Sequence, residues 1–205
     1  MKHILIANRG EIAIRIAGAA AEVGLMTTAV YAEDDAASLH VQRADQAIAL
    51  PGVGPAAYLD IDAVIRAATD AGADAIHPGY GFLSENAEFG RAVASAGMIY
   101  VGPSVEALAT FGDKAAARAL AERVGVPVVH GTKGATDFPE ARAFMKSLGS
   151  GAAVMVKAVS GGGGRGMRPV SNLANLEEMM ARCQSEAAAA FGDSTVYVER
   201  LVPSA

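Results

Sequence analysis

Residues 4 to 13 read Ile4-Leu5-Ile6-Ala7-Asn8-Arg9-Gly10-Glu11-Ile12-Ala13. The first four residues form a short apolar run with strand character, and the next three are typical of a turn. From Glu11 to Val23, apolar residues recur at the helical period, and Gly24 ends the pattern. The segment therefore predicts a strand, a turn and a helix in succession, which is the repeating unit of an α/β fold.

Strand and helix patterns continue to alternate through the first half of the chain. The sequence predicts strands over 27–31, 74–77 and 98–101 and helices over 58–71 and 85–96. Strands that alternate with helices at this spacing pair in parallel. We therefore expect an open, doubly wound, Rossmann-like parallel sheet, forming a first domain over residues 1–112.

The second half of the chain has a different pattern. An Ala-rich helix over 113–123 opens a linker that extends to residue 130. The sequence then predicts helices over 139–148 and 173–191 and strands over 154–159, 167–170 and 195–202. A glycine loop joins the first two of these strands. This arrangement predicts a small α+β lobe over residues 131–203.

The composition excludes several classes of protein. The chain has 205 residues, of which 52% are hydrophobic and 19% charged, so it can bury enough apolar surface to fold. Its net charge of -5 argues against a nucleic-acid partner. The single cysteine, Cys183, excludes an internal disulfide and is consistent with the cytoplasm. The apolar start is too short for a signal peptide or a membrane helix, so we expect neither.

The densest chemical signal is the loop Ser160-Gly161-Gly162-Gly163-Gly164-Arg165-Gly166. A G-x-G-x-x-G pattern runs from Gly161 to Gly166, but a dinucleotide site requires that pattern to open a helix, and Pro169 follows among extended residues. The remaining alternatives are an exposed hairpin loop and a flap whose backbone N–H groups cover phosphates. Four consecutive glycines lose much conformational entropy on ordering, which favours the flap, with Lys157 as a phosphate-binding charge.

Another candidate site is the segment His77-Pro78-Gly79-Tyr80-Gly81-Phe82-Leu83-Ser84-Glu85-Asn86. It leaves a predicted strand at its carboxyl end, where open α/β sheets bind ligands, and Ser84 is a candidate cap for the next helix. A rigid turn with buried aromatic residues explains the segment equally well. Lys114 is either a surface residue or a second phosphate contact. The four histidines lack metal-ligand spacing, so we assign no metal site and no catalytic residue.

Four blocks of sequence together resemble the biotin carboxylase family. They are Ile6-Ala7-Asn8-Arg9-Gly10-Glu11-Ile12-Ala13, the segment from His77 to Asn86, Gly112-Asp113-Lys114, and the stretch from Lys157 to Met167. The blocks occur in the family's order and span nearly the whole chain. The resemblance implies an ATP-dependent ligase with magnesium as cofactor. Such an enzyme carboxylates biotin with bicarbonate through a carboxyphosphate intermediate.

The resemblance also assigns ATP-binding roles to particular residues. Lys114 and Lys157 are similar to the family's two ATP-binding lysines. In the flap, Gly161 and Gly162 are similar to the hinge, and Gly163 and Gly164 to the part that covers the phosphates. Met167 stands at the end of the flap that meets the cofactor.

The last predicted strand resembles the one that meets adenine. Glu199 would face the exocyclic amine, and backbone groups of Arg200 and Val202 would meet the ring edge. Leu201 stands where many members of the family have an aromatic residue. The residues that resemble the biotin and bicarbonate side of the cleft are Tyr80 and Glu85.

The resemblance identifies the chain as a pre-ATP-grasp N-terminal domain followed by an ATP-grasp lid. The family's metal ligands, bicarbonate-binding arginines and catalytic base are expected beyond Ala205, in the absent C-terminal half, so we expect this chain alone to be inactive. The complete enzyme is expected to be a homodimer that works with a biotin carboxyl carrier domain and a carboxyltransferase. The family serves acyl-CoA carboxylases and pyruvate carboxylase. Of these we expect an acyl-CoA carboxylase, with acetyl-CoA or propionyl-CoA as substrate and a role in fatty acid biosynthesis. The alternatives are a non-catalytic nucleotide-binding or assembly module and another ATP-grasp ligase.

Overall fold

The computed structural model describes residues 1–159 and 166–202, without the side chains of Lys114, Ala115 and Phe191. The chain forms two compact units, Met1–Gly112 and Asp113–Ala205. Most of the glycine loop, from Ser160 to Arg165, lies outside the described residues. Within the described ranges, no helix is both long enough and apolar enough to cross a bilayer.

The first unit is built around a five-stranded sheet with the order β3-β2-β1-β4-β5. Every neighbouring pair of strands is parallel, which confirms the predicted α/β class. The strands are β1 His3–Ile6, β2 Met26–Ala32, β3 Gln46–Leu50, β4 Ala75–His77 and β5 Ile99–Tyr100. The helices are α1 Gly10–Glu22, α2 Leu39–Arg43, α3 Gly54–Ala57, α4 Ile61–Asp70, α5 Ala87–Ser95 and α6 Val105–Gly112.

Helices cover both faces of this sheet, and β1 contributes side chains to both. Ile4 and Ile6 belong to a cluster formed with the buried face of α1, whereas Leu5 belongs to a second cluster with residues of α4 and α5. All three side chains are at most 3% exposed. Because side chains alternate along a strand, a central strand covered on both sides must be apolar at every position. The run predicted as a strand is confirmed, and the structure places it at the centre of the sheet.

The structure corrects several details of the predicted elements. The edge strand β3 was not predicted, because it is Ala-rich and largely exposed and so lacks the apolar run of a central strand. The helices α2, α3 and α6 were not predicted either. The cap of α5 is Asn86, whose side chain accepts a hydrogen bond from the amide of Phe89, and not Ser84 as proposed.

The second unit is a three-stranded antiparallel sheet with helices packed on one face. Its strands are β6 Val154–Ala158, β7 Met167–Val170 and β8 Val196–Arg200, in the order β7-β6-β8. Its helices are α7 Lys114–Arg123, α8 Phe138–Ser147 and α9 Leu176–Phe191. Alternate residues of β6, such as Val154 and Val156, pack with α8 and α9 in one core. This confirms the predicted α+β lobe and leaves the other face of β6 for polar side chains.

A buried polar network follows the carboxyl end of β2. The Tyr58 hydroxyl donates to Asp35 Oδ2 at 2.8 Å and accepts from the Ala32 amide at 3.2 Å. Asp35 Oδ1 accepts from the Arg9 guanidinium at 2.8 Å and from the Ser38 hydroxyl at 3.1 Å. Burial raises the pKa of Tyr58 to about 12, so the phenol remains a donor at any physiological pH. The network fixes the turn after β1 against the turn after β2.

Replacing Tyr58 with phenylalanine tests this network. In Tyr58→Phe, the buried Ala32 amide and one oxygen of Asp35 each lose a partner. We expect the free energy of unfolding to fall by about 1–3 kcal/mol, measured by urea denaturation. Tyr31→Phe, at a partly exposed position of β2 next to Ala32, is the control and should change stability little. Equal losses in the two variants would contradict the role of the network.

Candidate functional site

The pairing of β6 with β8 brings two opposite charges together on the open face of the second unit. Lys157 lies opposite Tyr197, and Met155 lies opposite Glu199. Residues that pair across an antiparallel sheet share a face, so Lys157 and Glu199 are diagonal neighbours there. The ammonium of Lys157 forms an ion pair with Oε1 of Glu199. The sequence named both residues as candidates, and the structure brings them together.

Glu199 is 9% exposed, so its carboxylate is largely removed from water. Its second oxygen, Oε2, lies 3.7 Å from the guanidinium of Arg118 on α7. Arg118 also donates from its other terminal nitrogen to the carbonyl of Val129, at 2.7 Å. Burial and then the nearby Glu199 carboxylate raise the pKa of the Tyr197 phenol, which is therefore a neutral neighbour of the pair. A buried carboxylate between two cations is the central feature of this face.

Tight packing holds the carboxyl end of the glycine loop. Gly166 has a φ of +66°, and a Cβ there would lie 2.9 Å from Cβ of Ala158. Its carbonyl accepts hydrogen bonds from the Ala158 amide and from the buried thiol of Cys183, both at 2.8 Å. Burial raises the pKa of the Cys183 thiol. Met167 pairs with Lys157 across the sheet and is 36% exposed, so it borders the open face.

The adenine-contacting segment predicted after β8 is described up to Val202. The amide of Arg200 donates a hydrogen bond to the carbonyl of His130 at 2.7 Å, and the amide of Leu201 donates one to the carbonyl of Ala153 at 2.8 Å. Val202 is 49% exposed and its amide makes no hydrogen bond to any described residue.

Two groups of predicted residues lie outside what the structure describes. The flap glycines Gly161, Gly162, Gly163 and Gly164 belong to the undescribed loop. Lys114 begins α7, one helical turn before Arg118, and its side chain is not described. Among the described residues, no group of three or more His, Cys, Asp or Glu side chains could hold a metal ion.

The loop after β4 is the other candidate site, in the first unit, and the amide of Asn8 holds its backbone. Asn8 is 2% exposed. Its Nδ2 donates to the carbonyls of Pro78 and Tyr80 at 2.7 and 2.8 Å, and its Oδ1 accepts from the amide of Arg9 at 2.9 Å. Gly79 lies directly beneath this side chain, where a Cβ would come within 2.7 Å of Nδ2. The turn after β1 therefore fixes the turn after β4.

The side chains of this loop that the sequence named point to solvent. Tyr80 is 61% exposed and donates from its hydroxyl to the carboxylate of Glu11. Glu85 is exposed and borders a cavity of about 310 Å³ that Phe111 also lines. His77 accepts at Nδ1 from the amide of Gly79 at 3.0 Å, and burial lowers its pKa, so it stays neutral in this role.

Sequence reasoning missed three residues that organise the two sites. Asn8 stood in a predicted turn and in the first block of the family resemblance, but no role was assigned to it. Glu11 is the first residue of the predicted helix, and its contact with Tyr80 joins residues 69 positions apart. A weak sequence signal points to Arg118: it lies four residues after Lys114 on a predicted helix, and so one helical turn from a residue that was already a candidate. None of these partners is close in sequence, so no local pattern identifies them.

Comparison with protein families divides the chain at nearly the same place as the structure. Residues 1–108 match the family described as "Biotin carboxylase, N-terminal domain". Residues 113–204 match "Carbamoyl-phosphate synthase L chain, ATP binding domain".

Individual relatives agree with these family matches. Pyruvate carboxylase of Schizosaccharomyces pombe is 50% identical over 204 residues, which are 97% of this chain and 17% of that protein. A biotin carboxylase–β-γ-ATP complex from Campylobacter jejuni matches 98% of this chain with a TM-score of 0.93 and 43% identity. The biotin carboxylase domain dimer of Hydrogenobacter thermophilus 2-oxoglutarate carboxylase, with MgADP, ADP and bicarbonate, matches 98% with a TM-score of 0.90 and 38% identity. The chain covers 45% and 44% of those two structures' chains.

Gly79 and Gly81 offer a matched test of the contact between Asn8 and the loop. Both have a positive φ, of +66° and +67°, but a Cβ at Gly81 meets nothing within 4 Å. Backbone strain in Gly81→Ala should cost about 1–2 kcal/mol. Gly79→Ala adds a collision with Nδ2 of Asn8, and we expect a further loss of about 1–3 kcal/mol, measured by urea denaturation. If the two variants lose the same stability, Asn8 does not clamp the loop.

Proposed function

The chain belongs to the biotin carboxylase family, and we propose that it forms the first domain and the ATP-grasp lid of a biotin-dependent carboxylase that acts on a 2-oxo acid. The first domain comprises residues 1–112, the linker helix lies within 113–130, and the lid comprises 131–203. The chain spans 17% of the length of the S. pombe relative, so the activity proposed here is that of the complete protein.

The observation that carries this proposal is the carboxylate of Glu199 between two cations on the open face of the lid. Adenine carries an exocyclic amine, which donates, and a carboxylate accepts only. Nucleotide phosphates are anionic and attract an ammonium such as that of Lys157. One site therefore offers an acceptor for the base and a cation for the phosphates. The ion pair of Lys157 with Glu199 keeps both groups paired until a nucleotide separates them.

The remaining nucleotide contacts follow from the positions of the neighbouring residues. We assign the ring edge to the Arg200 carbonyl and the Val202 amide, with Leu201 between them. Met167 borders the same face and would contact the base. The phosphates are assigned to Lys114, Lys157 and the backbone N–H groups of Gly163 and Gly164, with Gly161 and Gly162 as the hinge.

The exposed loop of the first unit would serve the biotin and bicarbonate side of the reaction. Tyr80 and Glu85 both face solvent, and the Asn8 amide holds the backbone between β4 and α5 in place. ATP would supply the phosphoryl group that activates bicarbonate as carboxyphosphate. Magnesium would accompany the nucleotide, as in the H. thermophilus complex with MgADP. We assign no magnesium ligand and no catalytic base to residues of this chain.

The relatives favour a 2-oxo acid over the acyl-CoA expected from the sequence. The S. pombe protein is a pyruvate carboxylase, and the H. thermophilus domain belongs to a 2-oxoglutarate carboxylase. These relatives give no support to a role in fatty acid biosynthesis. We propose pyruvate as the first acceptor to test and a carboxyl carrier domain and a carboxyltransferase as partners. We also propose a homodimer, like the H. thermophilus domain, and the cytoplasm as the compartment.

Carboxylation by the complete protein tests the proposed function. Purified protein is incubated with ATP, magnesium, labelled bicarbonate and either pyruvate or acetyl-CoA, and fixed label and ADP are measured. We expect ADP release that depends on bicarbonate, and label transfer to pyruvate. Transfer to acetyl-CoA alone would contradict the assignment of a 2-oxo acid. Nucleotide binding without any bicarbonate-dependent ADP release would indicate a non-catalytic binding module instead.

Removing the charge of Lys157 tests the phosphate contact. A charge-assisted hydrogen bond contributes about 1.5–3 kcal/mol, so Lys157→Met should weaken ATP binding about tenfold or more. Lys114→Met should act in the same direction. Calorimetry on the complete protein gives the affinities. The exposed Lys133 and Lys146 are the controls. If Lys133→Met or Lys146→Met loses as much ATP affinity as Lys157→Met, the effect comes from net charge alone and the assignment of Lys157 to the phosphates is wrong.

A further inference from the structure

Arg118 is fixed at two points beside the proposed adenine site. Its guanidinium lies 3.7 Å from Oε2 of Glu199 and donates to the Val129 carbonyl at 2.7 Å. Gly131, two residues after Val129, forms a β-bridge with Glu199. The carbonyl of His130, which lies between Val129 and Gly131, accepts a hydrogen bond from the amide of Arg200. Arg118 therefore contacts both the carboxylate and the backbone segment that runs alongside it.

The proposed function creates an electrostatic difficulty at Glu199. If Lys157 turns to the phosphates of a nucleotide, the carboxylate loses its first cation. Glu199 is only 9% exposed, and a buried charge without a partner is strongly unfavourable. The neighbouring Tyr197 phenol is either neutral or anionic, so it can supply no positive charge, and burial raises its pKa and favours the neutral form. Another cation has to remain with the carboxylate.

We propose that Arg118 is the positioning residue that keeps the Glu199 carboxylate directed at the exocyclic amine while Lys157 binds phosphate. The proposal rests on the adenine and phosphate contacts proposed above. Arg118 suits this role because its bond to the Val129 carbonyl restrains the guanidinium, whereas Lys157 has its only described ion pair with Glu199. A guanidinium also stays charged at every accessible pH.

This role determines which purine base the site accepts. An ionised carboxylate accepts a hydrogen bond from the 6-amino group of adenine, whereas the 6-oxo group of hypoxanthine presents an acceptor and is repelled. A carboxylate that is no longer held in place loses its contact with the amine, and with that contact the site loses its discrimination against the 6-oxo group. Loss of Arg118 should therefore reduce the preference for ATP over ITP, two nucleotides that differ at this position of the base.

The experiment compares ATP with ITP in bicarbonate-dependent nucleotide hydrolysis by the complete protein. In Arg118→Gln, we expect the ratio of kcat/KM for ATP to that for ITP to fall about fivefold or more, through a higher KM for ATP with kcat little changed. Arg118→Lys should recover part of the ratio, because it restores the charge without the two-point contact. Arg123→Gln removes the same charge from an exposed position of α7 and should leave the ratio unchanged.

Glu199→Gln separates failure of this inference from failure of the proposed function. If Glu199→Gln lowers the ratio and Arg118→Gln does not, Arg118 has no positioning role and the adenine site stands. If neither variant changes the ratio, the contact of Glu199 with the base is wrong, and the inference falls with it. If Arg118→Gln does not fold, as judged by its thermal midpoint, Arg118→Met retains the aliphatic stem and is measured in its place.

Discussion

The carboxylate of Glu199 needs cations around it because the lid buries it. Antiparallel pairing of β6 with β8 brings Lys157 to one oxygen, and α7 brings Arg118 to the other. A buried carboxylate would otherwise have to take up a proton or return to water. The strand register, the position of α7 and the ion pairs are thus parts of one requirement. The same requirement brings together groups of both signs, on which the proposed nucleotide site rests.

The first unit meets a similar requirement with a neutral side chain. Loops at the carboxyl edge of a parallel sheet leave backbone carbonyls without partners, and each buried one needs a donor. Asn8 donates to two such carbonyls, at Pro78 and Tyr80, and Gly79 leaves the space that its amide occupies. The backbone of the loop is therefore held by buried contacts, while Tyr80 and Glu85 remain exposed to solvent.

Elements with a strong period were predictable, and elements that depend on their surroundings were not. In the central strand β1, the consecutive residues Ile4, Leu5 and Ile6 are all apolar because helices cover both faces of the strand. The edge strand β3 has four positions that are exposed or partly exposed, and its Ala-rich sequence has no local preference for a strand. Its identity as a strand comes from pairing with β2, which is a contact between distant parts of the chain.

The sequence by itself determined the order of the strongly periodic elements, the division into an α/β unit and a small α+β lobe, and the family. It also identified Lys157 and Glu199, because their family motifs are local. Only the tertiary structure decided that these two residues pair, that Arg118 joins them from α7, and that Asn8 holds the loop after β4. The physical reason is that each of these contacts joins residues more than 40 positions apart. Side chains at such separations meet only after the sheets have formed, so no local period or motif records them.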